Sequence, residues 1–109
     1  MIEITISVGL NDATTKQQKY QTEKYVDIMK FVCHNYHVPF SFIVSEGGYF
    51  HENGDYVQEK TLVLCFLDPE EGVVDAIARD LCTFFHQESV LITENKVRAY
   101  YIKEKPFEY

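Results

Sequence analysis

A run of seven residues near the middle of the chain, from Thr61 to Leu67, is almost entirely apolar. A strand of this composition is typical of the centre of a sheet, where both faces are covered. Turn signals flank the run, because Asn53-Gly54 precedes it and Asp68-Pro69 follows it. Asn-Gly favours a tight hairpin, since both residues tolerate positive φ. The sequence therefore predicts a central strand, with helices on one face and a partner subunit expected on the other.

The first forty residues predict a strand followed by a helix. Apolar and polar residues alternate from Ile2 to Val8, which is the period of a half-buried strand. Thr15 and Gln18 have the spacing of a capping box, so the helix is expected to start there and to run to about Tyr36. A second strand is predicted over 40–44, with a bulge at Gly47-Gly48.

The second half of the chain repeats this order. Asp68 and Pro69 are suited to the cap and the first position of a second helix. We expect a fourth strand over 89–93, a turn at 94–96 and a fifth strand from Val97 to Ile102. The 109 residues fit one domain, 1–109. The predicted fold is α+β: a ferredoxin-like β-α-β-β-α-β sandwich with an extra C-terminal strand and two helices on one face of an antiparallel sheet.

The negative charge is concentrated in the middle of the chain. The net charge is −7, and the segment 46–80 holds nine of the 17 acidic residues but only two of the ten basic ones. A phosphate backbone would be repelled there, so direct nucleic-acid binding is not expected. The acidic segment is either a solvated face or a surface for a basic protein partner.

No catalytic or metal-binding motif is evident in the sequence. Three cysteines at no metal-finger spacing indicate buried thiols in a reducing, cytoplasmic setting. His34 and His37, near a helix end, have the spacing to bind a metal with Cys33, but no metal-binding motif accompanies them. Cys82 and His86 have the spacing of a thiolate–imidazole pair, but Cys82 adjoins an apolar stripe, which favours a buried, inert thiol. We therefore predict no catalytic residues, no metal and no cofactor. No apolar run is long enough for a membrane helix.

The hairpin is the best candidate for a binding surface, because aromatic anchors alternate there with acidic residues. An ordinary solvated hairpin is the alternative. The predicted partner-binding residues are Tyr49, Phe50, His51, Glu52, Asp55, Tyr56 and Glu59. Tyr100, Tyr101 and Phe107 either edge the core or contribute to an interface between subunits.

Two stretches carry a resemblance to a known family. One is Glu46-Gly47-Gly48-Tyr49 with Asn53-Gly54 and Glu59-Lys60, and the other is the run from Phe85 to Leu91, with the sequence FHQESVL. Together they resemble a small bacterial and phage domain family with a Q-x-S-V-L signature before its last strand. That resemblance implies a ferredoxin-like fold and no particular activity. The layout is also loosely similar to the PII and CutA-type trimers, which implies an oligomer with ligands between subunits.

The sequence thus favours a non-enzymatic protein-interaction module that binds a protein with a basic surface. A phage or mobile-element inhibitor of a host nucleic-acid-handling protein fits this size and acidity. The alternative is a homo-oligomeric regulator that binds a small molecule. Its predicted ligand-binding residues are Tyr49, His51, Gln87 and Ser89.

Overall fold

The computed structural model describes residues 1–50 and 52–105. Within these residues, two helices pack on one face of a four-stranded antiparallel sheet, which confirms the predicted α+β class and the order β-α-β-β-α-β. The elements are β1 (Ile2–Gly9), α1 (Thr22–Asn35), β2 (Ser41–Phe50), β3 (Tyr56–Leu67), α2 (Val73–Phe84) and β4 (Leu91–Lys96). The order across the sheet is β2-β3-β1-β4, so the apolar run lies in a central strand, as predicted.

The core lies between the sheet and the helices. Alternate residues of β1 and β3 face the helices, and each helix buries one apolar stripe against them. The fully or almost fully buried side chains include Ile6, Val8, Leu62, Leu64, Phe66, Met29, Val32, Ile77 and Leu81. The opposite face of the sheet, which we call the open face, carries Ser7, Val63 and Cys65 and is only half-buried.

The first predicted helix start was wrong by six residues, since the capping position is Gln21 and not Thr15. Residues 10–20 instead form a loop, the β1–α1 loop, and α1 begins at Thr22. The Asp12 carboxylate accepts the backbone N–H groups of Thr14 and Thr15, at 2.8 and 3.2 Å. Because these contacts close a turn around Asp12, Thr15 does not cap a helix.

The second predicted helix start was wrong as well, since α2 begins at Val73. Asp68 has a positive φ of 51°, and its backbone and side chain both bond to Ile2 of β1. Its carboxylate therefore fastens β1 to the end of β3 instead of capping the helix. The predicted bulge was also wrong, because β2 pairs with β3 without interruption through Gly47 and Gly48.

The predicted fifth strand is not formed in the described chain. The residues expected to turn, 94–96, continue β4, and the chain has no regular structure from Val97 to Lys105. Val97 donates its N–H to the carbonyl of Met1. The chain therefore runs on past the start of β1 instead of folding back along β4. Tyr100 and Tyr101 are exposed, so they do not edge the core, while Phe107 lies outside the described residues.

Candidate functional site

A depression of about 230 Å³ lies where the β1–α1 loop meets the sheet and the exit of α2. Its walls come from four parts of the chain that are distant in sequence. The lining residues that carry functional groups include Asn11, Lys16, Tyr49, Glu59, Gln87 and Ser89.

Glu59 provides the carboxylate of this depression. It lies on β3 two residues before Thr61, which pairs with Gly9, so its side chain lies on the open face above Gly9. A Cβ atom at Gly9 would fall 2.6 Å from the Glu59 carboxyl group. On the other side, Gly47 of β2 pairs directly with Glu59, and a Cβ there would meet nothing within 4 Å. Glycines on both neighbouring strands thus leave the carboxylate space.

The loop residue Asn11 holds the Glu59 carboxylate in place. The backbone N–H of Asn11 donates to Glu59 Oε2 at 3.0 Å, and the Asn11 side chain donates to the carbonyl of Gln58 at 3.2 Å. The carbonyl of Asn11 in turn accepts a 2.6 Å hydrogen bond from Gln87 Nε2. A carboxylate held by a backbone donor makes a charge-assisted hydrogen bond, which is stronger than a neutral one.

Tyr49 adds an exposed aromatic ring at the edge of the depression. It pairs with Val57 on β3, two residues from the pair of Gly47 with Glu59. Because side chains two residues apart share a face, Tyr49 and Glu59 lie on the same side of the sheet. An aromatic ring near a carboxylate suits a ligand that combines a flat ring with a positive charge.

A second cavity, of about 400 Å³, lies on the other side of the β1–α1 loop. Asp12, only 7% exposed, lies at its base, and the hydrogen bonds from the N–H groups of Thr14 and Thr15 lower the pKa of this carboxyl. His86 Nε2 lies 3.0 Å from Thr14 Oγ1 and 4.0 Å from Asp12 Oδ1. These contacts join the loop to the end of α2.

The structure brings together four of the residues that the sequence singled out. Tyr49, Glu59, Gln87 and Ser89 all line the depression, although Glu59 was predicted for partner binding and Gln87 for ligand binding. His51 lies outside the described residues. The sequence analysis missed Gly9, Asn11 and Lys16, because it assigned no role to the residues between the first strand and the first helix and placed Lys16 inside that helix. The signal was a glycine at the end of an alternating strand followed by polar residues.

The other predicted partner-binding residues that the structure describes, which are Phe50, Glu52, Asp55 and Tyr56, do not line the depression and lie near the tip of the hairpin. The Phe50 and Tyr56 rings pack on each other with centroids 5.3 Å apart. Asp55 exchanges hydrogen bonds with Asn53 across the turn. Glu52 is exposed. The hairpin tip and the depression are therefore two separate features.

No group of three or more His, Cys, Asp or Glu side chains that could hold a metal ion is found in residues 1–50 and 52–105. The Cys82 thiol donates to the carbonyl of Gln87 at 3.1 Å. None of the helices in the described part of the chain is long and apolar enough to cross a membrane.

The solved structures that share the fold include two of a phage SAM lyase. A phage SAM lyase in complex with S-methyl-5'-thioadenosine is 24% identical, with a TM-score of 0.66 over 87% of this chain and 80% of that one. A phage SAM lyase in the apo state is 23% identical, with a TM-score of 0.68 over 98% of this chain and 92% of that one. Neither a family model nor a curated protein matches the chain.

These neighbours correct the predicted function. The sequence favoured a non-enzymatic protein-interaction module, with a small-molecule-binding regulatory oligomer as the alternative. These expectations were wrong, as was the leaning against an enzyme, because solved structures that share this fold over most of the chain include those of a phage SAM lyase, which is an enzyme. The mistake arose because the chemistry-bearing residues do not form a contiguous motif. The predicted basic protein partner, the homo-oligomer and the family resemblance stay predictions.

Proposed function

We propose that this protein is a lyase that cleaves S-adenosylmethionine and releases S-methyl-5'-thioadenosine. The observation that carries the proposal is the Glu59 carboxylate, held by the Asn11 N–H in a depression that it shares with Tyr49. Support comes from the fold, which matches the phage SAM lyases over most of the chain.

The substrate chemistry fits this depression. S-Adenosylmethionine carries a permanent sulfonium charge and an ammonium group, and both attract a carboxylate. In the proposal, Glu59 binds the cationic part of the substrate, and Tyr49 offers an aromatic surface to the purine. The acidic protein, with its net charge of −7, would also draw a cation toward the site.

The proposed reaction breaks the bond between the sulfonium and the γ-carbon of the amino-acid part. The electron pair of this bond stays on sulfur, so the cationic sulfonium becomes the neutral thioether of S-methyl-5'-thioadenosine. A lyase adds no water, so the substrate itself supplies the new bond. Either its carboxylate closes onto the γ-carbon as a lactone, or a proton passes from the β-carbon to a water molecule as a double bond forms between the β- and γ-carbons.

The direct test is to incubate the purified full chain with S-adenosylmethionine in H2(18)O and to analyse the products by mass spectrometry. We expect S-methyl-5'-thioadenosine together with a four-carbon co-product that contains no added water and no 18O. NMR then separates a lactone from an unsaturated amino acid. Unchanged substrate would refute the proposed activity, and an 18O-labelled hydroxy acid formed directly would indicate a hydrolase.

Glu59 is tested by the variant Glu59→Gln, which keeps the shape of the side chain and removes its charge. We expect kcat/KM for S-adenosylmethionine to fall by about 10-fold or more, with a much smaller effect on the affinity for the neutral thioether product. Glu46→Gln is the matched control. Glu46 lies near Glu59 on the neighbouring strand β2, but it stands opposite Lys60 in the strand register, so its side chain belongs to the other face of the sheet. Equal losses in both variants would exclude a specific role for Glu59.

We further propose that the complete site forms between copies of the chain. The depression of about 230 Å³ is smaller than the ~300–1,000 Å³ usual for ligand sites. A second copy docked on the open face would enclose the rest of the substrate. The three free cysteines fit a reducing compartment, so the proposal keeps the predicted cytoplasmic location.

A further inference from the structure

The side chain of Gln87 connects the exit of α2 to the β1–α1 loop. Its Nε2 donates to the carbonyl of Asn11 at 2.6 Å and lies 3.4 Å from the carbonyl of Phe85. The backbone of Gln87 is itself fixed to α2, because its N–H donates to the carbonyl of Cys82 and its carbonyl accepts the Cys82 thiol. Gln87 is therefore a rigid anchor built on a helix end.

The anchored residue, Asn11, is the one that holds Glu59. The N–H and the carbonyl of Asn11 belong to adjacent peptide planes that meet at its Cα. An anchor on the carbonyl therefore restricts the direction in which the N–H points, and that N–H donates to Glu59 Oε2 at 3.0 Å. The Asn11 side chain adds a third attachment, to Gln58 next to Glu59 on β3.

We infer that Gln87 is a positioning residue: it fixes Asn11, and Asn11 fixes the Glu59 carboxylate. The catalytic consequence rests on the proposed function, whereas the structural link does not. Glu59 has glycines as its nearest neighbours on both adjacent strands, so no side chain confines it at those positions. The hydrogen bond from the Asn11 N–H is thus the contact that sets the direction of the carboxylate. Displacements of about 1 Å in an active site can cost about 100-fold in rate.

The test uses Gln87→Met, which keeps the length of the side chain and removes its donors, together with Gln87→Ala. We expect kcat/KM for S-adenosylmethionine to fall by about 10-fold or more, while the affinity for S-methyl-5'-thioadenosine stays within about three-fold. In the ligand-free protein, the 1H–15N resonance of the Asn11 amide should move in both Gln87 variants and in Glu59→Gln. Circular dichroism checks that each variant is folded.

Thr14→Ala is the matched control, because it removes a different side-chain link between the loop and the end of α2, the hydrogen bond between Thr14 and His86. We expect this variant to leave the Asn11 amide resonance at its wild-type position. Its kcat/KM should stay within about two-fold of the wild-type value. Equal losses in Thr14→Ala and Gln87→Met would show that the loop needs general support only, which overturns the inference.

The two proposals fail in different ways. If the wild type does not cleave S-adenosylmethionine, the proposed function fails, while the Asn11 resonance still tests the link from Gln87 to Glu59. If Gln87→Met loses activity but the Asn11 resonance stays in place, Gln87 acts directly on the ligand and the positioning role is refuted. If neither changes, Gln87 has no role in the site.

Discussion

The carboxyl group of Glu59 lies so close above Gly9 that a Cβ atom at Gly9 would fall 2.6 Å from it. The contact is possible because Gly9 ends β1 at the position that pairs with Thr61, two residues along β3 from Glu59. The atoms that such a Cβ would meet are the carboxyl atoms at the far end of the flexible Glu59 side chain. An added methyl group would therefore displace the carboxylate instead of breaking the sheet.

The first prediction concerns Gly9→Ala. We expect the variant to fold, because only the Glu59 side chain must move, and to lose at least about 10-fold in kcat/KM for S-adenosylmethionine because the carboxylate is displaced. Steady-state kinetics measures the loss, and thermal unfolding checks the fold.

Gly47→Ala is the control for this substitution. Gly47 pairs with Glu59 from the other neighbouring strand, but a Cβ there meets nothing within 4 Å. Activity should stay within about two-fold of the wild type. A Gly9→Ala enzyme as active as Gly47→Ala would mean that the position of the Glu59 carboxylate does not matter.

The elements of the fold were largely predictable because each depends on a local pattern. The alternation from Ile2 to Val8 and the apolar stripes of the two helices reflect burial against one core. The helix starts were not predictable, because Thr15 and Asp68 have the side chains of caps but do not cap a helix; Thr15 belongs to the turn around Asp12. Asp12 closes its own loop, and Asp68 ties β3 to Ile2.

The site was less predictable than the fold. Glu59 meets Gly9 and Asn11 only because of the register of β3 with β1, which is a contact over about fifty residues. Local spacing carries no information about such a register, because α1 and β2 separate β1 from β3 along the chain. The Gln87 signature was recognised, but its partner Asn11 lies 76 residues away.

The second prediction concerns Asp12 and acid. Hydrogen bonds from the N–H groups of Thr14 and Thr15 lower the pKa of Asp12 in the folded protein below its ordinary value of 3.8. Its charged form is therefore favoured by folding. That stabilisation is present above the ordinary pKa and is lost as the pH falls through the folded pKa. The difference in free energy of unfolding between the wild type and Asp12→Asn should thus shrink below about pH 4.

Urea unfolding at a series of pH values measures this difference. Asparagine keeps a side-chain oxygen that can accept the same N–H groups, so the comparison isolates the charge. A difference that stays constant from about pH 7 to about pH 3 would contradict the assignment of the acid-sensitive contact to Asp12.

The third prediction concerns Cys33. Its side chain is completely buried in α1 against the core, and burial raises the pKa of its thiol to about 11. Since the thiolate is the reactive form, Cys33 should resist alkylation by iodoacetamide at neutral pH in the native protein. Peptide mapping should find Cys33 modified only after unfolding. Native labelling of Cys33 at the rate of the half-buried Cys65 would show that the core opens readily.

The last prediction tests the proposed assembly through the open face. Ile43 of β2 pairs with Val63 on this face and is 63% exposed. If a second copy covers the face, Ile43→Lys should place a charge in an apolar interface, shift the protein to the monomer in light scattering and reduce its activity.

Phe31→Lys is the matched control, since Phe31 is equally exposed but lies on α1, across the sandwich. A wild-type monomer, or an Ile43→Lys protein that keeps the wild-type mass, would refute assembly through this face. Dissociation by Phe31→Lys alone would place the interface on the helices instead.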